Sequence, residues 1–174
     1  MNSNDSLTIR QAEPSDFNQV CDLYQKIIAN LDKRTNFPLW TWGVHPSFDS
    51  LQQALNNQEL WLFEHNGQLW GSALVNQALE GEEQVNWQGQ NAWCIHLFGL
   101  DPDLGGRGLA DAFLQGLMAM IQEKKADSIR LNLIEGNLPA HNLYSRNGFL
   151  HRGHYSVWLE DEGSLPFEMM EYLF

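Results

Sequence analysis

One stretch of this 174-residue chain has the residue types and spacing to bind an anion: Leu97-Phe98-Gly99-Leu100-Asp101-Pro102-Asp103-Leu104-Gly105-Gly106-Arg107-Gly108-Leu109-Ala110. An apolar, strand-like run enters a loop with three glycines in four positions, and a helical pattern begins at once. Glycine lets successive backbone N–H groups converge on one point, and a helix N-terminus adds about half a positive charge. Phosphate is the natural occupant of such a loop, and Arg107 can add a charge-assisted contact. Taken alone, the loop reads equally well as a tight strand-to-helix turn. Two phosphate-loop patterns do not fit. The Walker pattern needs Lys-Ser/Thr after its last glycine, and Gly108 is followed by Leu109-Ala110. The dinucleotide fingerprint needs a third glycine where Asp111 stands.

A second block, Asn137-Leu138-Pro139-Ala140-His141-Asn142-Leu143-Tyr144-Ser145-Arg146-Asn147-Gly148-Phe149, comes after a strand-like run further on. With the two blocks in this order, the sequence resembles the GNAT acyltransferases. Their pyrophosphate loop has the form Gln/Arg-x-x-Gly-x-Gly/Ala, and Gly108-Leu109-Ala110 supplies its end. The family's Gln/Arg position falls on Gly105, a departure that leaves the loop less pre-organised. The second block is similar to the family's Asn-x-x-Ala-x-x-Leu-Tyr-x-x-x-Gly-Phe. Ile95-His96-Leu97 and Pro38-Leu39-Trp40 are similar to a bacterial branch, and the resemblance runs from about Leu7 to about Trp158.

The resemblance implies an α/β (α+β) fold: a mixed sheet of six to seven strands that splays between the fourth and fifth, flanked by about four helices. It implies an N-acetyltransferase with acetyl-CoA as cosubstrate, no metal, and direct attack of a primary amine in a ternary complex. Pantetheine would pair with the backbone of Phe98, Gly99 and Leu100, and the pyrophosphate would rest on Gly105, Gly106, Arg107, Gly108, Leu109 and Ala110. Asn137 and Asn142 would hold the pantetheine side, with Tyr144 near the sulfur. The alternative is a non-catalytic coenzyme A-binding or sensing module of the same fold. Homodimers are common in the family, and its acceptor pockets lie on the first helices and the connection corresponding to Leu79–Asn91.

A thioester is reactive, so the protein must mainly place the amine, keep it neutral and protonate the leaving thiolate. Tyr144, of an amino-acid type with a pKa near 10, is the candidate acid for a thiolate of about 8.5. His96, on the strand leading to the glycine loop, is the candidate base, with Glu135 and Glu64 as secondary candidates. A hydrogen-bonded core histidine is the competing reading of His96. His151 and His154 are three apart on a strand, which puts them on opposite faces unless Gly153 makes a bulge, so no metal site is expected. Trp40 and Trp42 serve either as core or as the wall of an amine pocket through cation–π contact. Glu80, Glu82 and Glu83 read as a solvated loop, or as a feature that steers a cationic substrate.

These groups need elements to hold them. Leu7–Arg10 reads as a strand, and Glu13-Pro14-Ser15-Asp16 as a helix start for a face of Phe17, Val20, Tyr24, Ile27, Ile28 and Leu31. Pro46-Ser47 opens a second helix carrying Phe48, Leu51 and Leu55. Leu60–Phe63 and Gln68–Val75 flank Asn66-Gly67, the best hairpin signal in the chain. Leu79–Asn91 reads as a long connection, Ala92–Leu100 as a strand, and Leu109, Phe113, Leu117, Met120 and Ile121 as a helix face. Ile129–Leu133 is a strand and Pro139–Asn147 a helix ended by Gly148. Phe149–Leu159 is a strand and Phe167–Phe174 a last edge strand. The order is β-α-α-β-β-β-α-β-α-β-β, which indicates α/β or α+β architecture. A single domain over residues 7–174 is expected, with Met1–Ser6 loose.

Composition narrows the partners. With 22 Asp+Glu against 10 Lys+Arg the net charge is −12, which disfavours nucleic acid and anionic membranes and favours a cationic acceptor. Apolar residues at 43% and seven Trp argue for a packed core. Two cysteines, Cys21 and Cys94, read as buried free thiols, and a soluble cytoplasmic protein is expected.

Overall fold

The computed structural model describes residues 7–159 and 163–174. The expectation for Met1–Ser6 lies outside the described residues. Among these, seven strands and four α-helices keep the expected order: β1 (Leu7–Gln11), α1 (Phe17–Leu31), α2 (Phe48–Asn56), β2 (Leu60–His65), β3 (Gln68–Asn76), β4 (Ala92–Leu100), α3 (Leu109–Glu123), β5 (Ser128–Ile134), α4 (Leu138–Arg146), β6 (Leu150–Leu159) and β7 (Gly163–Leu173). The strand order is β1-β2-β3-β4-β5-β7-β6, a mixed α/β fold in which β4 and β5 run parallel. The β4–β5 ladder joins Ala92, Trp93 and Cys94 to Ser128, Ile129 and Arg130, and β4 continues to Leu100. No described helix is long and apolar enough to cross a membrane.

The chain divides into two compact units, one of Met1–Val75 with Leu97–Gly116 and one of Asn76–His96 with Leu117–Phe174. The first is built on the β1–β2–β3 meander. Asn66 and Gly67, with φ of 49° and 76°, make the tight turn that the dipeptide predicts. Phe17, Val20, Tyr24 and Ile27 of α1 pack with Leu51 and Leu55 of α2 and Leu60 and Leu62 of β2, because three- and four-residue spacing gathers them on one face. Ser47 caps α2 by accepting the Ser50 N–H at 3.1 Å. Arg10 ties β1 to the residue before α1 and to β2, donating to Asp16 at 2.7 Å and to Glu64 at 2.7 Å.

In the second unit, β7 lies between β5 and β6 and begins at Gly163, so the expected edge strand over Phe167–Phe174 is an interior one. Its two acids, Glu168 and Glu171, are both buried, beside Met169 and Met170. Each has cationic or hydrogen-bonding partners, which is the condition for burying a carboxylate. Glu171 accepts from the Gln88 and Gly89 backbone at 3.1 and 3.0 Å and from Arg152 at 2.8 Å, with Arg130 Nε 3.7 Å away. Asp127 accepts from the Gln90 and Asn91 amides, each at 2.9 Å, and these bonds hold its carboxyl below its ordinary pKa. The acidic connection is therefore fastened by its backbone, and Glu82 pairs with Arg130 at 3.4 Å.

Candidate functional site

The glycine loop belongs to the first unit. Asp101 accepts the Asp103 N–H at 2.9 Å and closes the turn at the end of β4. Gly105, Gly106, Arg107 and Gly108 are exposed, while Leu109 and Ala110 begin α3 half-buried. Gly106 and Gly108 have φ of 79° and 70°, backbone that side-chain-bearing residues rarely adopt. A Cβ on either would meet nothing within 4 Å, so the demand for glycine is torsional and the space around the loop is open. Ala112 N–H donates to the Gly108 carbonyl at 3.2 Å, so helical bonding reaches back to the last loop glycine. An open loop with left-handed glycines leading into a 15-residue helix is suited to a pyrophosphate. Gly105, at φ −56° and ψ 152°, adopts a conformation open to any residue, and a Cβ there would stand 3.8 Å from the Pro102 carbonyl. The departure at Gly105 is thus not imposed by the backbone.

The strand before the loop is irregular. Leu97 takes a left-handed φ of 49° in the middle of β4, and its carbonyl accepts the Tyr24 hydroxyl at 2.7 Å. A non-glycine residue in that region interrupts the alternation of the strand. Burial raises the Tyr24 hydroxyl's pKa, so it remains a proton donor. Beyond Leu97 the Phe98 ring stacks on Phe113 at 4.8 Å, Gly99 is buried and Leu100 half-buried. Lys26 of α1 lies 2.7 Å from the carboxylates of both Asp101 and Asp103, offsetting one of their two negative charges immediately before the glycine loop. Trp40 and Trp42 are half-buried and pack on the apolar core of this unit, Trp40 edge-on to Tyr24 at 5.9 Å.

The other candidates lie in the second unit. Asn137 caps α4, accepting the Ala140 N–H at 3.3 Å, and Pro139 sits in the first turn. Asn142 is exposed, whereas Tyr144 is 8% exposed with its ring 5.6 Å from that of Phe149. Burial pushes the Tyr144 hydroxyl above the usual phenol range. Gly148 has φ 90° and ends the helix as expected. His96 is half-buried with Nε2 3.0 Å from Asn76 Oδ1; donation through Nε2–H puts the neutral ring's lone pair on Nδ1. Glu64 is held by Arg10, and Glu135 faces His154 at 3.7 Å.

His151 and His154 share a face after all. The β6–β7 register shifts between His151 and Gly153, leaving Arg152 extra, and the two rings come within 4.6 Å. Among the described residues no group of three His, Cys, Asp or Glu is arranged to hold a metal. Sequence reasoning placed Tyr24 in the core without its bond to Leu97, and missed Lys26, Glu168 and the left-handed backbone at Leu97. Only Lys26 left a trace, as a cation on α1 in a strongly acidic chain.

Residues 25–149 match the acetyltransferase (GNAT) family. Comparison with curated proteins gives no match. Among solved structures, the chain is similar to a GNAT-family acetyltransferase from Streptococcus agalactiae, with a TM-score of 0.78, 22% identity, and 97% of this chain and 95% of that one covered. It is also similar to a ribosomal-protein-alanine N-acetyltransferase from Brucella melitensis (TM-score 0.72, 18% identity, 97% and 100% covered). A protein from Salmonella typhimurium, solved with its cofactor acetyl-CoA, shares 16% identity at a TM-score of 0.69, with 97% and 94% covered. At these identities the likeness is one of fold.

Proposed function

The chain belongs to the acetyltransferase (GNAT) family, which carries out acetyl-CoA-dependent acyl transfer, and from that premise we propose that it acetylates a primary amine. The single observation that carries the cosubstrate assignment is the loop at Gly106 and Gly108, left-handed, open and leading into α3. In this reading the loop takes the pyrophosphate, and Phe98, Gly99 and Leu100 offer backbone to the pantetheine. Asn137 and Asn142 serve the pantetheine side, and Trp40 and Trp42 the acceptor.

The amine nitrogen attacks the thioester carbonyl carbon, a C–N bond forms, and the C–S bond breaks. The surplus proton on nitrogen passes to His96, directly or through water, and the thiolate takes a proton from Tyr144. Burial keeps Tyr144 protonated, so its acid form is present throughout the working range and gives no alkaline limb to kcat below about pH 10. The same burial weakens it as an acid, which shifts its contribution toward hydrogen-bonding the developing thiolate. The acidic balance of the chain suits a cationic acceptor.

The test is release of free thiol from acetyl-CoA in the presence of polyamines, amino acids and peptides. Release with at least one amine is expected. Binding of acetyl-CoA without turnover across the panel would favour the non-catalytic coenzyme A-binding module, and absence of binding would remove both readings. Tyr144→Phe should lower kcat about 100-fold with KM for acetyl-CoA little changed. An intact rate would remove Tyr144 as the acid.

A further inference from the structure

Glu168 is a carboxylate on β7 with only 8% of its surface exposed. A group so placed must be hydrogen-bonded, and its partners come from two other elements. His141 Nδ1 of α4 lies 2.9 and 3.1 Å from the two carboxylate oxygens, and His151 Nδ1 of β6 lies 3.1 Å from one of them. An ionised carboxylate only accepts, so both Nδ1 atoms carry hydrogen. The neutral His141 ring then keeps its lone pair on Nε2, where the Ser145 hydroxyl donates at 3.3 Å. The result is a chain Ser145–His141–Glu168–His151 that fastens α4 to β7 and β6.

That chain has the order of nucleophile, base and carboxylate, but Ser145 is exposed within a helix whose neighbouring N–H groups are engaged in helical bonds. With those N–H groups engaged, the helix has no backbone pair to offer an oxyanion, so a nucleophile is not what the arrangement makes. Its mechanical effect is clearer. α4 has nine residues, of which Leu143 and Tyr144 are buried, and a helix that short is not held by its own bonds. His141 precedes Tyr144 by three residues, one turn along the same side of the helix. Fixing His141 therefore fixes the rotation of α4 about its axis, and with it the placement of the Tyr144 hydroxyl.

We propose that Glu168 is a positioning residue for Tyr144, acting through His141 and the orientation of α4. This rests on the reading of Tyr144 as the acid. His154, with its ring against His151 and Glu135 3.7 Å away, extends the cluster beyond His151.

The experiment uses the full chain with Glu168→Gln, His141→Ala, His141→Asn and His141→Gln. Thiol-release kinetics, thermal unfolding and amide hydrogen exchange over α4 are measured for each. Glu168→Gln and His141→Ala should lower kcat about 10-fold or more, with KM for acetyl-CoA within about twofold of the parent. His141→Asn, whose amide N–H reproduces Nδ1–H, should recover most of kcat and of α4 protection. His141→Gln, whose amide reaches the Nε2 position, should not. An unchanged kcat in folded His141→Ala overturns the proposal, and so does His141→Asn performing no better than His141→Gln. If the parent releases no thiol with any amine, the amine-transfer reading fails. The exchange arm still decides the tether, because unaltered α4 exchange in both Glu168→Gln and His141→Ala overturns it. Should Glu168→Gln not fold, the three His141 variants carry the same decision.

Discussion

The loop from Gly105 to Gly108 in the first unit stands in the open and turns on left-handed glycines, and the two acids before it, Asp101 and Asp103, share the single positive charge of Lys26. In the second unit the short helix α4 is held instead by side chains, through a buried Glu168 and two histidines. The same unit fixes its long connection with a buried Glu171 and two arginines. One region is thus made of backbone geometry that any sequence with the right glycines reproduces. The other depends on individual ionisable groups that lose their purpose when a partner is removed. The first should tolerate substitution except at its torsions, and the second should fail group by group.

The sharpest way to break this contrast is Glu171→Ala. It removes the acceptor of Arg152 and of the Gln88 and Gly89 amides, and the carboxylate beside Arg130, at a position that is itself fully buried. Loss of one partner of a buried ionic network costs about 3–5 kcal/mol, a large part of a domain's stability. A midpoint in urea within error of the parent's would mean that the side-chain-built region is no more fragile than the other. Gly108→Ala tests the backbone-built region at its weak point. With nothing within 4 Å of the new methyl, the cost is the left-handed torsion alone, about 1–2 kcal/mol. KM for acetyl-CoA should rise about tenfold with kcat little changed, as steady-state kinetics would show.

Lys26→Ala should have a smaller effect. Releasing Asp101 and Asp103 puts negative charge ahead of the anion loop, so KM for acetyl-CoA should rise roughly threefold at low ionic strength. The rise should shrink in high salt, and a salt-independent change would point to a structural role for Lys26. The smallest expected change is a gain. Gly105→Arg enters a conformation that suits it, restores a basic side chain where the family has Gln/Arg, and removes unfolded-state freedom. Stability should rise by about 0.4–1 kcal/mol and KM for acetyl-CoA should fall. A loss of stability would mean that the loop needs glycine there for a reason its φ and ψ do not reveal.

What could be read in advance divides the same way. The element order, the Asn66-Gly67 turn, the Ser47 cap and the two left-handed loop glycines are local properties of residue type, and each stands where its residues predict. The backbone at Leu97 is different, because leucine has no preference for φ 49° and the Tyr24 bond that accompanies it comes from 73 residues away. Glu168 finds His141 across 27 residues, a pairing without a periodic trace. The interior place of β7 has no local mark either, because the partners that make buried Glu168 and Glu171 tenable lie far off in the chain. Strict alternation assigns His151 and His154 to opposite faces, and one inserted residue overturns it.

That inserted residue also bears on how molecules of this chain behave toward each other. β6 ends the strand order, and a terminal strand is a template on which another chain can lay its own strand and begin a fibril. At Arg152 the ladder with β7 skips a step, which bends the strand and breaks the even spacing that a newcomer would need. The irregularity that brings two histidines together thus also discourages edge-to-edge aggregation.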